Sequence, residues 1–161
     1  MGLDITKATV ITVSDGVAAG VREDESGDAI ESMLNESGFS VTRRLVPDEI
    51  DQIVEAIRES AGSVGLILTT GGTGFGPRDV TPEATTSILD RDAPGLVQLM
   101  IAKGLESTPM AALTRAKAGD VSGSLVLNLP GSPKGATQSL ESVAGVIPHA
   151  LQLLAGDTRH S

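Results

Sequence analysis

Apolar residues occur along this chain in two patterns: short runs, and longer segments in which they recur every three or four positions. The runs, mostly rich in β-branched residues, predict strands at residues 8–13, 39–46, 65–70 and 125–129. The recurring pattern predicts helices that start near Ser26, Asp48, Pro82 and Gly95. It also predicts a last helix that carries residues 140–154 and bends at Pro148.

The alternation of strands and helices determines the predicted fold class. Strand, helix, strand, helix and strand in sequence order require right-handed crossovers, and they predict an α/β fold with a largely parallel sheet covered on both faces. The clearest helix is the second, whose single apolar stripe is formed by Ile50, Ile53, Val54 and Ile57. Because the chain has no internal repeat, low-complexity tract or linker, residues 1–161 are predicted to form one domain.

Composition and charge limit the classes of partner. The only aromatic residues are Phe39 and Phe75, so the predicted core is aliphatic, with gaps filled by Met33, Met100 and Met110. The net charge of −9 opposes binding to nucleic acid or to an anionic membrane. The absence of cysteine excludes disulfides and Cys-ligated zinc, and no apolar run approaches the roughly 18 residues of a membrane span. We therefore expect a cytoplasmic protein with no nucleic-acid or membrane partner.

Three of the predicted strands end in loops rich in glycine and hydroxyl groups. These loops are SDG at residues 14–16, TGGTG at 70–74 and PGSPK at 130–134. Ligands of parallel sheets bind beyond the carboxyl ends of the strands, so three such loops predict one composite pocket. Glycine lets backbone N–H groups approach an anion closely and hydroxyl groups add donors, which favours phosphate as the ligand. For any one loop alone, a tight turn is the alternative.

Two aspartates, Asp48 and Asp79, lie beside these loops in the sequence. A carboxylate about 4 Å from a phosphate charge is repelled by several kcal/mol, so both acids suit a bound polyphosphate only if Mg²⁺ lies between. Each is also placed to cap the helix that begins shortly after it, and the two roles are compatible. Arg78 and Lys134 are the cations of the glycine-rich segments, and each is either a phosphate ligand or simply solvated.

Five segments together resemble a known family. TVSDG at residues 12–16, LVPDEI at 45–50, TTGGTGFGPRDVTPEAT at 69–85, APG at 93–95 and NLPGSPKG at 128–135 are similar to the molybdopterin adenylyltransferases of molybdenum-cofactor biosynthesis. That family includes bacterial enzymes, their close paralogues and the corresponding domains of plant and animal molybdenum-cofactor proteins. The similarity covers nearly the whole chain, and its long central motif is highly specific.

The resemblance implies a three-layer α/β/α fold, a homotrimer and a defined reaction. In that reaction AMP is transferred from Mg-ATP to the terminal phosphate of molybdopterin, pyrophosphate is released, and the product passes to a molybdenum-insertion protein. The resemblance also implies that Asp48 and Asp79 are catalytic and hold Mg²⁺. The positions that it implies for binding molybdopterin and ATP are Ser14, Asp15, Thr70, Gly71, Gly72, Thr73, Gly74, Pro82, Glu83, Pro130, Gly131, Ser132, Pro133 and Lys134.

The sequence differs from the family pattern in two respects, and both an active enzyme and an inactive paralogue are compatible with it. Thr114 stands where many relatives have serine, which is a mild change that keeps the hydroxyl group. The chain also lacks a segment that some bacterial adenylyltransferases carry before the last helix, which places it in the shorter branch of the family. The shorter branch of the family holds both active enzymes and paralogues of doubtful activity. The alternatives are therefore a non-catalytic molybdopterin-binding carrier and, third, a trimer that serves partner assembly.

Overall fold

The structure is a computed structural model that describes residues 2–157, in which a mixed β-sheet lies between helices. The strands are β1 (Asp4–Val13), β2 (Ser40–Val46), β3 (Val64–Thr70), β4 (Arg91–Asp92), β5 (Ala118–Val121) and β6 (Ser124–Leu129). The helices are α1 (Asp15–Ala18), α2 (Glu25–Glu36), α3 (Ile50–Ser60), α4 (Thr81–Thr86), α5 (Pro94–Leu105), α6 (Pro133–Ala144) and α7 (Ile147–Leu154). A 3₁₀ helix spans Pro109–Leu113.

The six strands form one sheet in the order β2-β1-β3-β6-β5-β4. Strands β2, β1, β3 and β6 run parallel. At one edge, β5 pairs antiparallel with β6, and β4 pairs antiparallel with β5. Strand β3 lies between β1 and β6, and its residue Ile67 pairs with Thr9 on one side and Val126 on the other. The three loops predicted to bind a ligand therefore begin side by side.

Successive side chains of the central strands point to opposite faces and build two separate apolar cores. On one face, Val10 and Leu68 pack with residues of α2, α5, α6 and α7. On the other face, Ile11 and Ile67 pack with residues of α3 and α4. Helices cover both faces because both faces are apolar, which confirms the predicted α/β fold with three layers and a largely parallel sheet.

The predicted helix boundaries agree best with the structure where a glycine ends the helix or an apolar stripe marks it. Helix α2 ends just before Gly38, which has φ +94° and so takes the left-handed conformation that a helix end often requires. The buried apolar stripe of α3 is narrower than predicted. Ile53 and Ile57 are buried, whereas Ile50, at the first helical position, is 41% exposed. Within residues 2–157, no helix is long and apolar enough to cross a membrane.

Two predictions about packing and helix shape are wrong. The last helix is not continuous: α6 ends before Gly145 and α7 starts at Ile147, so Pro148 occupies a first-turn position of a new helix instead of bending an old one. Proline is tolerated there because the missing N–H has no partner in the first turn. Met110 is 64% exposed in the 3₁₀ helix and does not fill the core, whereas Met100 is buried as predicted.

Candidate functional site

The loops after β1, β3 and β6 meet at the carboxyl edge of the sheet. The backbone N–H of Gly71 donates to the Leu129 carbonyl at 3.1 Å, and the Thr70 hydroxyl donates to the Pro130 carbonyl at 2.7 Å. With the start of α2, the loops enclose a cavity of about 420 Å³, called here the polar cavity. The predicted residues in its wall are Ser14, Asp48, Thr70, Gly71, Gly72, Asp79, Gly131, Ser132 and Pro133.

Two glycines allow the loop after β3 to lie against its neighbours. Gly71 has φ +106°, and a Cβ atom there would clash with the Val13 carbonyl oxygen. Gly72 has φ +70°, and a Cβ atom there would lie 3.1 Å from Asp48 Oδ1. Only glycine adopts these conformations readily, so the backbone passes close to the end of β1 and to the Asp48 carboxylate.

A reciprocal pair of hydrogen bonds fixes Asp48 in the polar cavity. The N–H of Asp15 donates to Asp48 Oδ2 at 2.9 Å, and the N–H of Asp48 donates to Asp15 Oδ1 at 3.0 Å. These bonds join the loops that follow β1 and β2. The predicted capping role of Asp48 is wrong, because Glu49 occupies the N-cap position of α3 and no side chain within residues 2–157 caps that helix start.

Burial raises the pKa of the Asp48 carboxyl above its ordinary value of 3.8. The negative charges of Asp15 and Asp79 raise this pKa further, and the hydrogen bond from Asp15 and the charge of Arg78 oppose the rise without cancelling it. The Oδ1 atom of Asp48 accepts no hydrogen bond from any residue in the range 2–157. The negative charge of this part of the site therefore favours the binding of a cation.

Asp79 is held by its own loop. Its Oδ2 atom accepts the N–H of Gly76 at 2.9 Å, while Oδ1 has no partner within the described part of the chain. The predicted capping role is wrong here too, because Val80 occupies the N-cap position of α4 and none of the described side chains caps that helix. Among residues 2–157, no group of three or more His, Cys, Asp or Glu side chains is placed to hold a metal ion. Asp48 and Asp79 are thus two carboxylates of the polar cavity that each keep one oxygen without a hydrogen bond from residues 2–157.

The two predicted cations lie outside the polar cavity. Arg78 forms ion pairs with Asp15 and Glu49, both at 3.0 Å, and lines a neighbouring cavity. The Arg78 guanidinium lowers the pKa of the Asp15 carboxyl. Lys134 lies exposed in the first turn of α6, next to the wall residue Pro133. Arg78 therefore ties two loops together, and both cations lie outside the residues that line the polar cavity.

Thr73 and Gly74 line a second cavity of about 280 Å³ between α5, the 3₁₀ helix and α6, called here the apolar cavity. Ser132 lines both cavities, so the two spaces share a wall. Pro82 and Glu83 line neither cavity. Pro82 is buried in α4, and Glu83 accepts a hydrogen bond from Arg115 at 2.6 Å.

Arg115 organises the glycine-rich loop and was not predicted. Its Nε donates to the Gly74 carbonyl at 2.8 Å, its Nη2 donates to the Asp79 carbonyl at 2.9 Å, and its guanidinium lies 5.4 Å from the centre of the Phe75 ring. Its own N–H donates to the Thr73 carbonyl at 2.8 Å. No local pattern points to Arg115, because its contacts come from residues far away in the sequence.

One wall of the polar cavity, residues 22–26, was also missed. Asp24 caps α2 by accepting the N–H of Gly27 at 3.0 Å, accepts the Thr12 hydroxyl at 2.6 Å and pairs with Arg43. An aspartate immediately before a predicted helix is a cap signal, so Asp24 was detectable from the sequence.

Comparisons with known proteins extend over most of the chain. A family profile described as a probable molybdopterin binding domain matches residues 9–149. Molybdopterin adenylyltransferase of Helicobacter pylori strain J99 is 38% identical over 92% of this chain and 87% of its own length. The Drosophila melanogaster molybdenum cofactor synthesis protein cinnamon is 37% identical over 92% of this chain, and the chain spans 25% of its length. The solved structure of the molybdopterin biosynthesis enzyme MoaB of Thermus thermophilus has a TM-score of 0.88 and 50% identity, covering 94% of this chain and 98% of that one.

Proposed function

The chain belongs to the family of probable molybdopterin binding domains, and from that premise we propose that it transfers AMP from Mg-ATP to the terminal phosphate of molybdopterin. The observation that carries the proposal is the polar cavity, where two carboxylates with free oxygens lie at the junction of the glycine-rich loops. The proposed reaction forms a bond between a molybdopterin phosphate oxygen and the α-phosphorus of ATP, and it breaks the bond to pyrophosphate.

The loop backbone suits the binding of phosphate groups. Gly71 and Gly72 line the cavity wall with a backbone that carries no side chains, and Gly131 packs against Gly71. Helix α6 starts at this wall, where Ser132 caps it by accepting the N–H of Gly135 at 3.1 Å. The positive end of a helix stabilises an anion, and a backbone without side chains lets the anion come close, so these residues are proposed to orient the phosphates.

Asp48 and Asp79 are proposed to hold Mg²⁺ through their free oxygens. Their fit to the ion follows from a raised pKa at Asp48 and from the absence of a cation bonded to either carboxylate within residues 2–157. Magnesium takes one or two carboxylates together with phosphate oxygens, which matches this donor set. When bound, it supplies the positive charge that neutralises the phosphates of ATP.

The attacking group is the substrate's own phosphate, and the protein supplies position and charge. Nucleotidyl transfer of this kind needs alignment of two phosphates and no protein nucleophile. The reciprocal hydrogen bonds between Asp15 and Asp48 and the Arg115 contacts to the glycine-rich loop hold the two carboxylates in place. ATP, Mg²⁺ and a cytoplasmic location are parts of the proposal, as is the assignment of the whole chain to one molybdopterin-binding and adenylyltransferase domain.

A non-catalytic carrier is the second candidate. It is favoured by the description of the family profile that matches residues 9–149, which specifies molybdopterin binding and no transfer reaction. The same cavities then bind molybdopterin for delivery, and ATP is not consumed.

The proposed assembly is a homotrimer that passes its product to a molybdenum-insertion protein. Support for self-association comes from the α5 face, defined here by four exposed apolar residues of α5 and the adjoining 3₁₀ helix, Leu99, Leu105, Met110 and Leu113. Large exposed apolar side chains on two neighbouring elements favour contact with another apolar surface. Support for an insertion partner comes from cinnamon, in which a region like this chain is one quarter of a longer protein.

The test of the proposed function is a turnover assay. Purified protein is incubated with freshly released molybdopterin, ATP and Mg²⁺, and pyrophosphate and adenylylated pterin are measured by chromatography and mass spectrometry. We expect product with the wild type and a loss of about 100-fold or more with Asp79→Asn, because a charge that stabilises the transition state is removed. The matched control is Asp92→Asn, an exposed aspartate on β4 at the edge of the sheet. Pterin binding without product identifies the carrier, and full activity of Asp79→Asn refutes its role.

A further inference from the structure

The wall of the polar cavity carries more negative than positive charge. The carboxylates in the wall are those of Glu23, Asp24, Glu25, Asp48 and Asp79. Arg22 is the one lysine or arginine among the described residues that line this space. Arg43 neutralises Asp24, but the remaining carboxylates repel a phosphate at short range. A cationic side chain in the wall therefore strengthens the binding of a ligand with several phosphates.

Arg22 differs from the other arginines around the site because it has no partner within the described part of the chain. Arg43, Arg78 and Arg115 are each paired with carboxylates. The Arg22 side chain forms no hydrogen bond or ion pair with any residue in the range 2–157, although residues 23–25 are acidic. Its guanidinium donors thus remain available, and their fork geometry suits two oxygens of one phosphate.

The Arg22 side chain lies against Gly16. Gly16 lies in α1 with φ outside the left-handed region, so its backbone does not require glycine. Glycine inside a helix costs about 1 kcal/mol relative to alanine. A Cβ atom at position 16 would lie 2.6 Å from Cδ and 3.2 Å from Cγ of Arg22. The missing side chain at position 16 leaves the space in which the methylene groups of Arg22 pack.

We propose that Arg22 binds a phosphate group of the ligand in the polar cavity and that Gly16 provides the space that keeps Arg22 there. The inference rests on the proposed function, in which both substrates carry phosphate. The phosphate belongs either to ATP or to molybdopterin, and the test separates these two sources.

The experiment measures the binding of two probes to the full chain: Mg-ATP by calorimetry and molybdopterin by pterin fluorescence. The variants are Arg22→Ala, Gly16→Ala and the double variant. The matched control is Arg58→Ala, because Arg58 is an exposed arginine on α3 that lies outside the polar cavity and has no partner within residues 2–157. Loss of a charge-assisted hydrogen bond is expected to raise Kd by about tenfold or more.

Arg22→Ala is expected to raise Kd for the probe whose phosphate it binds, and Arg58→Ala is expected to leave Kd unchanged. Gly16→Ala should weaken the same probe, and the double variant should bind no more weakly than Arg22→Ala, because both changes remove one contact. Values of Kd within about twofold of the wild type for both probes in Arg22→Ala overturn the inference. A wild type that binds a probe but makes no adenylylated product refutes adenylyl transfer, while the Arg22 comparison still stands. A wild type that binds neither probe overturns both.

Discussion

At the scale of single residues, Asp48 combines a functional position with a cost to stability. Its carboxyl is partly buried beside two other carboxylates, and its pKa is raised above 3.8. The folded protein therefore binds this proton more tightly than the unfolded chain does. The resulting contribution to the free energy of unfolding is fully present below pH 3.8 and is lost as the pH rises through the folded-state pKa. A neutral side chain at position 48 would not lower the free energy of unfolding in this way as the pH rises.

We expect Asp48→Asn to raise the melting temperature at pH 7 in the absence of Mg²⁺ and ATP, and to abolish turnover. The asparagine carbonyl still accepts the N–H of Asp15, so the loop contact is kept. The gain in melting temperature should shrink as the pH is lowered toward 3.8, since the wild-type carboxyl then becomes neutral as well. Thermal unfolding across a pH series measures this effect. Glu55→Gln, a change at an exposed position on α3, is the control and should show no such trend.

Replacement of Arg115 is expected to change both stability and turnover. Arg115→Ala leaves the Gly74 and Asp79 carbonyls without their donors and should lower the free energy of unfolding by about 1–3 kcal/mol. Because these carbonyls belong to the loop that carries Asp79, turnover should fall as well. Urea unfolding and the turnover assay measure the two effects, with Arg58→Ala as the control. A variant with unchanged stability and activity would show that the loop keeps its shape without the guanidinium.

At the scale of secondary-structure elements, the junction between β3 and its loop depends on one glycine. Gly71→Ala places a side chain at φ +106° and against the Val13 carbonyl oxygen. The backbone strain alone costs about 1–3 kcal/mol, and the steric clash adds to it, so a large fall in melting temperature is expected. The matched control is Gly145→Ala, where φ is −70° and, among residues 2–157, no atom that could clash lies within 4 Å of the new Cβ. That variant should unfold within about 1 kcal/mol of the wild type.

The elements that the sequence predicted are those with strong local signals, and the elements it missed have weak ones. The apolar runs of β1, β3 and β6 are long and buried on both faces, so they were detectable without tertiary information. Strands β4 and β5 have two and four residues, and their pairing depends on contacts across the sheet. The break before α7 was missed because apolar periodicity continues through Gly145 although the helix does not.

At the scale of the whole molecule, the position of the pocket was predictable and its internal contacts were not. Parallel strand order places three loop ends together, so the site at the sheet edge follows from topology. The local signal that predicted caps at Asp48 and Asp79 was wrong, because the Asp48 carboxylate binds the distant Asp15 N–H and the Asp79 carboxylate binds the N–H of Gly76 in its own loop. The pairing of Arg78 and the contacts of Arg115 join residues at least 29 positions apart. Sequence patterns of short period carry no information about such pairs.

The final prediction concerns assembly and rests on the α5 face. Its four members are between 42% and 64% exposed, and helix α5 has only Met100 fully buried although most of its residues are apolar. Water contact with that surface is unfavourable by roughly 25 cal/mol per Å², so a second copy that covers it stabilises the folded chain. Light scattering at micromolar concentration should give the mass of a trimer for the wild type. Leu105→Glu buries a charge in the proposed interface and should shift the mass toward the monomer, since an unpaired buried charge costs several kcal/mol. Val21→Glu changes an exposed apolar residue outside the α5 face and should leave the mass unchanged. A monomeric wild type, or a trimer that Leu105→Glu does not disturb, would place the interface elsewhere or remove it.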